Sequence, residues 1–119
     1  DNNKNMKVEK VDSLETLFID TIEKVEIIFG SEGAYRRWLP ENRKWKQQIS
    51  APLFDAQMFA CYKKDKQQII ANKINILKEY KKLFTADYDF IDSIESSTAS
   101  PNRFLYRTTK LNEIIERYI

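Results

Sequence analysis

The segment from Ser50 to Tyr62 constrains the fold most, because it combines a clear helix start with apolar residues on almost every side. Ser50 can accept a hydrogen bond from the first free backbone N–H groups, and Pro52 lies in the first turn, where a missing N–H does no harm. The apolar positions that follow are nearly continuous: Leu53, Phe54, Ala56, Met58, Phe59, Ala60, Cys61 and Tyr62. A helix of this kind is buried by neighbours on several sides. We therefore expect a central helix over residues 52–64.

Low glycine and proline content extends the helical prediction to the rest of the chain. The 119 residues include two Gly and three Pro, too few for a chain of many strands and tight turns. We therefore predict an all-α fold, a compact bundle of about five helices around a central buried helix. Apolar residues recur at helical spacing in three further segments: Leu14, Leu17, Phe18, Ile22, Val25, Ile28 and Phe29; Ile69, Ile70, Ile74, Ile76, Leu77, Tyr80, Leu83 and Phe84; and Phe104, Thr108, Leu111, Ile114, Ile115 and Tyr118.

Capping residues predict where the helices begin and end. Residues 1–11 are polar and lack a period, so we expect a flexible lead-in followed by a single helical domain over 12–119. Asp12 or Ser13 can cap the first helix, and Gly30 can end it. The later boundaries are a cap at Asp65, a short helix over 89–96, a turn-forming connection over 96–102, and a last helix starting at Ser100 or Asn102.

A basic and aromatic segment over 35–48 precedes the central helix. Pro40 argues against one unbroken helix there, so we expect a short helical turn or two. One interpretation is that the segment contacts nucleic acid or an acidic partner, as mixed aromatic and basic groups do in single-strand binders. The other is that its tryptophans are core or domain-interface residues, whose rings bury much apolar area. The residues concerned are Arg36, Arg37, Trp38, Arg43, Lys44, Trp45 and Lys46.

The charges are segregated along the chain, although the total is only +2. Residues 1–34 carry a net charge of −4, residues 35–85 carry +8 and residues 86–119 carry −2. A basic middle predicts a surface for nucleic acid or for an acidic partner. The alternative is that the three segments neutralise one another when the chain folds, since charge runs usually lie on solvated faces.

Residue chemistry gives little support for catalysis. The chain has no His, which most acid–base and nucleophilic mechanisms recruit. Its lone Cys61 lies in the apolar helix and is expected to be a buried core residue. The Gly30–Gly33 segment follows a helix and lacks the Lys-Ser or Lys-Thr of a phosphate-binding loop. The acids Asp87, Asp89, Asp92 and Glu95 miss the calcium-loop pattern and are interpreted as helix caps and solvated acids. We expect no enzyme activity, no cofactor and no metal.

Cysteine use and hydropathy favour a cytoplasmic protein. A single Cys excludes a disulfide framework and indicates a reducing compartment. No apolar run approaches the roughly 20 residues that span a bilayer, and no signal peptide is recognisable, so we expect no membrane contact. The chain starts at Asp1 rather than Met, which favours a piece of a longer protein.

Arg107 borders the apolar stripe of the last helix and is expected to be partly buried. A buried guanidinium needs a carboxylate or backbone carbonyls. Asp55 on the central helix and Asp92 on the preceding short helix are the candidate partners. We predict that such a pair has a structural role.

Several short motifs resemble a known family. They are Phe29-Gly30, Tyr35-Arg36-Arg37-Trp38, Pro52-Leu53-Phe54-Asp55-Ala56, Asp89-Phe90-Ile91-Asp92-Ser93-Ile94, Ser100 and Arg107. In this order they resemble the C-terminal helical region of a large family of uncharacterised bacterial proteins whose N-terminal part is similar to ParB-type nucleases. The GmrSD modification-dependent restriction enzyme is a relative of that family. The resemblance spans residues 25–119 and carries no catalytic residue, because the family's Asp-Gly-Gln-Gln-Arg motif belongs to the N-terminal part.

Two functional expectations follow. The resemblance implies a non-catalytic helical C-terminal module of a ParB-like restriction or phage-defence protein, with an upstream ParB-like domain as its partner and weak nonspecific DNA contact. The alternative is a structural or protein-interaction module whose basic segment meets an acidic partner domain or subunit. The sequence does not specify the oligomeric state.

Overall fold

The computed structural model describes residues 2–95 and 100–119, which form five helices and one short hairpin. The all-α prediction is confirmed, with a hairpin of two-residue strands as the one addition among these residues. In chain order the elements are α1 (Asn2–Gly33), β1 (Trp38–Leu39), β2 (Lys44–Trp45), α2 (Ala51–Cys61), α3 (Lys66–Ala86), α4 (Tyr88–Glu95) and α5 (Pro101–Tyr118).

The helix starts follow the predicted caps at three positions. The Ser50 hydroxyl accepts a hydrogen bond from the Leu53 N–H at 3.3 Å, and α2 begins at the next residue. Asp65 accepts from the Gln67 N–H at 2.9 Å and precedes α3. Helix α5 begins at Pro101, directly after Ser100, although the Ser100 side chain makes no capping hydrogen bond. These starts were predictable because a cap is a contact within one turn of chain. The predicted connection at 96–102 lies mostly outside the described residues.

Helix α1 differs from the prediction at its start. It begins at Asn2, and neither Asp12 nor Ser13 caps it. The chain before Asp12 contains no Gly or Pro, so nothing in its backbone chemistry stops the helix there. Gly30 interrupts the helix as predicted, with φ 72° and ψ 170°, but a further turn follows it. The first buried residue among the described side chains is Thr21, and the described side chains before it, from Ser13 to Asp20, are exposed or half-buried at the edge of the bundle.

The core lies where α2 packs against α1 and α5, and where α3 crosses α1, α4 and α5. The α2 side chains that face these neighbours are buried. Phe59, and Tyr62 directly after the helix, are exposed. The fully or nearly fully buried apolar residues include Val25, Leu53, Ala56, Ala60, Cys61, Ile69, Ile76, Tyr80, Phe90, Leu111 and Ile115. No helix within the described residues has the length and apolar content to cross a membrane.

The expected helical turns over 35–48 are wrong, because the segment forms an antiparallel hairpin. Trp38 pairs with Trp45, and Leu39 pairs with Lys44. Pro40 stands at the second position of a turn closed by a 3.3 Å hydrogen bond from the Asn42 N–H to the Leu39 carbonyl. Proline favours this position because its ring presets φ. Arg43 then adopts a left-handed conformation, with φ 51°, and returns the chain to β2.

Candidate functional site

A buried polar network fixes the hairpin to the helical core. The Gln57 side-chain oxygen accepts a hydrogen bond from the Tyr35 N–H at 2.8 Å. The Gln57 amide donates to the Tyr80 hydroxyl at 3.0 Å, and that hydroxyl donates to the Arg36 carbonyl at 3.1 Å. Both side chains are fully buried, and burial raises the pKa of Tyr80, so its proton remains available for donation. The network holds Tyr35 in a left-handed conformation, with φ 62°, at the entry to the hairpin.

Sequence reasoning missed both members of this network. Tyr80 was counted among the apolar residues of α3, and its hydroxyl was not considered. Gln57 was the available signal, because it is the one amide among the apolar residues of α2. A buried amide needs partners for its oxygen and its NH₂ group, so its position predicts a polar contact between elements.

The two tryptophans of the hairpin pack inward on each other and on the core. Their ring centroids are 5.0 Å apart, and the Trp45 ring lies 6.2 Å from that of Tyr80. The Lys81 ammonium lies 4.0 Å from the Trp38 ring centre, so a cation already occupies the ring face. This packing supports the core or interface interpretation of the tryptophans over base stacking.

Arg36 and Arg37 are engaged within the fold. Arg36 donates to the carbonyls of Gln47 and Ser31, each at 3.1 Å, and so ties the end of the hairpin to the end of α1. Arg37 forms an ion pair with Glu95 of α4, and its guanidinium lies 5.8 Å from the centre of the Phe84 ring. These two cations stabilise the position of the hairpin through contacts within the fold.

Arg43, Lys44 and Lys46 form the free part of the basic segment. All three are exposed, and none forms an ion pair with any described residue. With Arg36 and Lys81 they line an open groove of about 700 Å³, in which Glu32 is the one acid among the described lining residues. We call this surface, formed by Arg43, Lys44, Lys46 and Lys81, the basic hairpin face. Arg43, Lys44 and Lys46 present positive charge to solvent, whereas Lys81 is engaged by the Trp38 ring.

Other cations of the basic middle segment pair with acids of the two flanking segments, as the alternative interpretation of the charge pattern predicts. Lys66 of the basic middle segment pairs with Asp20 at 3.0 Å and with Glu23 at 2.7 Å, both on α1. Lys64 pairs with Glu116 of α5 at 2.9 Å. The basic segment is therefore partly neutralised on folding, and the excess positive charge is concentrated on the basic hairpin face.

Arg107 is buried, as expected, but its partner differs from both candidates. It is 3% exposed and donates to the Ser93 carbonyl of α4 at 2.9 Å, while its Nε atom has no hydrogen-bond partner. Burial lowers the pKa of Arg107, and the nearby charge of Asp55 opposes that effect without an ion pair. Asp92 instead pairs with Arg103. Arg107 thus connects α5 to α4 through a backbone carbonyl.

Cys61, Tyr106 and Asp87 are titratable residues that contribute to packing, hydrogen bonding and helix capping. Cys61 is fully buried, and burial raises the pKa of its thiol to about 12. The Tyr106 hydroxyl donates to the Asp87 carboxylate at 2.9 Å, and burial together with this contact raises the pKa of Tyr106 to about 12. Asp87 also caps α4 through the Phe90 N–H, as predicted. Among the described side chains, residues 13–95 and 100–119, no three His, Cys, Asp or Glu are grouped as metal ligands.

Comparison with protein-family models, with curated proteins and with solved structures gives no match.

Proposed function

We propose that this chain is a non-catalytic helical module whose basic hairpin face contacts the phosphate groups of nucleic acid weakly and without reading sequence. The observation that carries the proposal is the set of three exposed cations, Arg43, Lys44 and Lys46, which form no ion pair with the described side chains and lie beside a groove whose described lining includes one acid, Glu32. Phosphate contacts from Lys and Arg supply affinity that does not depend on base sequence.

The state of the tryptophans argues for phosphate contact rather than base stacking. Binding a base on Trp38 would require displacing the Lys81 ammonium from the ring. Trp45 is held between Trp38 and the core. Neither ring is thus presented as an open platform of the kind that single-strand binders use. The module binds through charge, and its affinity depends strongly on salt.

The protonated states of Cys61 and Tyr106 support a non-catalytic role. The Cys61 thiol, with its pKa raised to about 12, is protonated at neutral pH and buried, so it is a poor nucleophile. Tyr106, raised to about the same pKa, is likewise protonated. No His is present to act as a general base.

The resemblance to the ParB-like family supplies the proposed setting, a C-terminal module that supports an upstream ParB-like domain in a restriction or defence protein. Its short motifs include Arg36 and Arg37, which hold the hairpin in place, and Arg107, which joins α5 to α4. Structural roles for motif residues are compatible with a supporting module. The sequence upstream of Asp1 tests this setting, because an Asp-Gly-Gln-Gln-Arg motif is expected there.

The proposed binding is tested by the salt dependence of affinity for a random DNA duplex. Three free cations and Lys81 give a slope of log affinity against log salt of about −3 to −4, with a dissociation constant of about 10⁻⁴ to 10⁻⁶ M. The triple variant Arg43→Gln/Lys44→Gln/Lys46→Gln removes the free cations. It is expected to flatten the slope by about three units.

A matched control removes the same charge elsewhere. Lys63, Lys73 and Lys82 are exposed lysines outside the groove, and their triple change to Gln alters the net charge equally. This control is expected to keep most of the slope. If the two triple variants lose the same amount of slope, net charge alone explains the effect, which contradicts a specific role of the basic hairpin face. Undetectable duplex binding by the parent chain would also contradict the proposal and would favour the acidic-partner alternative.

A further inference from the structure

The part of α1 before Thr21, which we call its projecting part, lies at the edge of the bundle, and its described side chains, from Ser13 to Asp20, are exposed or half-buried. Residues 2–20 form about 28 Å of helix at 1.5 Å per residue. Leu14 is 62% exposed and Phe18 is 51% exposed. Helices of this length are marginal in water unless an apolar face is covered. The described side chains of this part are therefore less covered than those of α1 from Thr21 onward.

An open apolar groove lies between this projecting helix and α2. It encloses about 650 Å³ and is lined by Leu14, Leu17, Phe18, Phe54, Met58, Phe59, Tyr62 and Phe104, with Thr21 and Asp55 as its polar residues. On the α2 side Phe59 is 56% exposed. A contiguous patch of half-exposed aromatic and aliphatic side chains is typical of an interaction surface. Because its walls are helices, the groove suits a helical occupant.

We propose that a second copy of this chain occupies the groove, with the projecting parts of the two α1 helices packed antiparallel around a two-fold axis. In this arrangement Leu14 and Phe18 of each copy cover Phe59 and Tyr62 of the other. One patch serves on both subunits, as a two-fold contact requires. Each copy thus provides both the groove and the helix that fills it.

The charge distribution along α1 favours a second copy of the chain as the occupant and an antiparallel orientation of the two α1 helices. Residues 2–11 contain three Lys and one Glu, for a net charge of +2. Residues 12–33 contain six acids and one Lys, for a net charge of −5. Antiparallel packing places the positive part of each helix against the negative part of the other, whereas parallel packing would place like charges together. Glu15 and Glu26 are exposed and form no ion pair with any described residue, so they remain available to the second copy.

The first test measures the mass of the full chain by sedimentation over a concentration series. The unaltered chain is expected to form dimers at micromolar concentration, and its dissociation constant is expected to rise with salt. Leu14→Glu on α1 and Phe59→Glu on α2 each place a charge in the contact twice per dimer. Each should raise the dissociation constant by about 100-fold or more.

Ile74→Glu is the matched control, because Ile74 is 76% exposed but lies on α3 outside the groove. It is expected to leave the dimer unchanged. Circular dichroism checks that each variant keeps its helicity, and the use of two groove positions on different helices guards against local unfolding. A chain that stays monomeric at about 100 μM would overturn the proposal, since stable dimers associate well below this concentration. A dimer that tolerates both groove variants would overturn it too.

A second test uses charge exchange between two variants. Lys7→Glu/Lys10→Glu makes residues 2–11 acidic, and Glu15→Lys/Glu26→Lys reduces the net charge of residues 12–33 from −5 to −1. Each variant alone is expected to dissociate more readily than the unaltered chain. Their mixture should form a heterodimer in which the opposite charges meet again. A mixture that associates no better than either variant would contradict the pairing of the α1 helices.

Discussion

Gly33 lies directly beneath the ring of Trp45, and this single contact determines how closely the hairpin approaches α1. A Cβ atom at Gly33 would lie 2.5 Å from Cε2 and 2.6 Å from Cζ2 of the indole. Real Cβ contacts are not this short, so any side chain at this position displaces the ring. The Trp45 ring also touches Trp38 and Tyr80, so it cannot shift alone.

We expect Gly33→Ala to displace the hairpin and to cost about 1–3 kcal/mol of unfolding free energy, the usual scale of overpacking. The displacement should change the tryptophan emission spectrum, because both Trp residues lie in the hairpin. Urea unfolding and fluorescence of the folded variant measure the two effects.

Gly30→Ala separates overpacking from backbone strain. A Cβ at Gly30 meets no atom within 4 Å, but its φ of 72° disfavours any L side chain. This variant should cost about 1–3 kcal/mol, because its positive φ and extended ψ are essentially restricted to glycine, and should leave the tryptophan spectrum unchanged. A spectral change in Gly30→Ala equal to that in Gly33→Ala would contradict the contact between Gly33 and Trp45.

At the scale of elements, Arg107 joins α5 to α4 with an incomplete set of partners. One guanidinium N–H meets the Ser93 carbonyl, and the Nε atom is buried without an acceptor. Its charge therefore loses hydration without regaining a full set of hydrogen bonds. Replacing a buried ionic group by an apolar group of similar volume is often neutral or stabilising, whereas removing its volume leaves a cavity.

We expect Arg107→Ala to cost about 3 kcal/mol of unfolding free energy, because it opens a cavity and leaves the Ser93 carbonyl without its donor. Arg107→Met keeps most of the volume and should cost less than about 1.5 kcal/mol, as volume-conserving changes do. Chemical denaturation of both variants measures the difference. Equal costs for Ala and Met would show that the charge, rather than the volume, joins the two helices.

The elements also show which features the sequence could predict. The starts of α2 and α3 were predictable because Ser50 and Asp65 cap the adjoining turn, and α5 starts directly after Ser100, one of its two predicted start residues. The hairpin was not predicted, because its conformation depends on Gln57 and Tyr80, which lie 22 and 45 residues beyond Tyr35 in the chain. The seven basic and aromatic site residues were found by composition. Their division into anchors and free cations depends on distant partners such as Glu95.

For the whole molecule, burial of weak acids couples stability to alkaline pH. Burial raises the pKa of Cys61 from 9.0 to about 12 and that of Tyr106 from 10.0 to about 12. The pKa values of Tyr35 and Tyr80 are also raised by burial. These groups are neutral when protonated, so the folded chain holds their protons more tightly than the unfolded chain does. Their contribution to stability is complete below about pH 9 and is lost as the pH rises toward the folded pKa values.

We therefore expect the unfolding free energy to fall between pH 8 and pH 10.5. Cys61 alone should contribute a loss of about 2 kcal/mol, since each pH unit above the unfolded pKa of about 9 costs about 1.4 kcal/mol until the folded value is reached. Urea unfolding at the two pH values measures the loss. Cys61→Ala is less stable at pH 8 because of its cavity, but it has no thiol to ionise, so its own loss over this pH range should be smaller by about 2 kcal/mol. If the unaltered chain and Cys61→Ala lose the same free energy, the thiol is accessible to water in the folded state, and α2 is less well covered than its packing against α1 and α5 indicates.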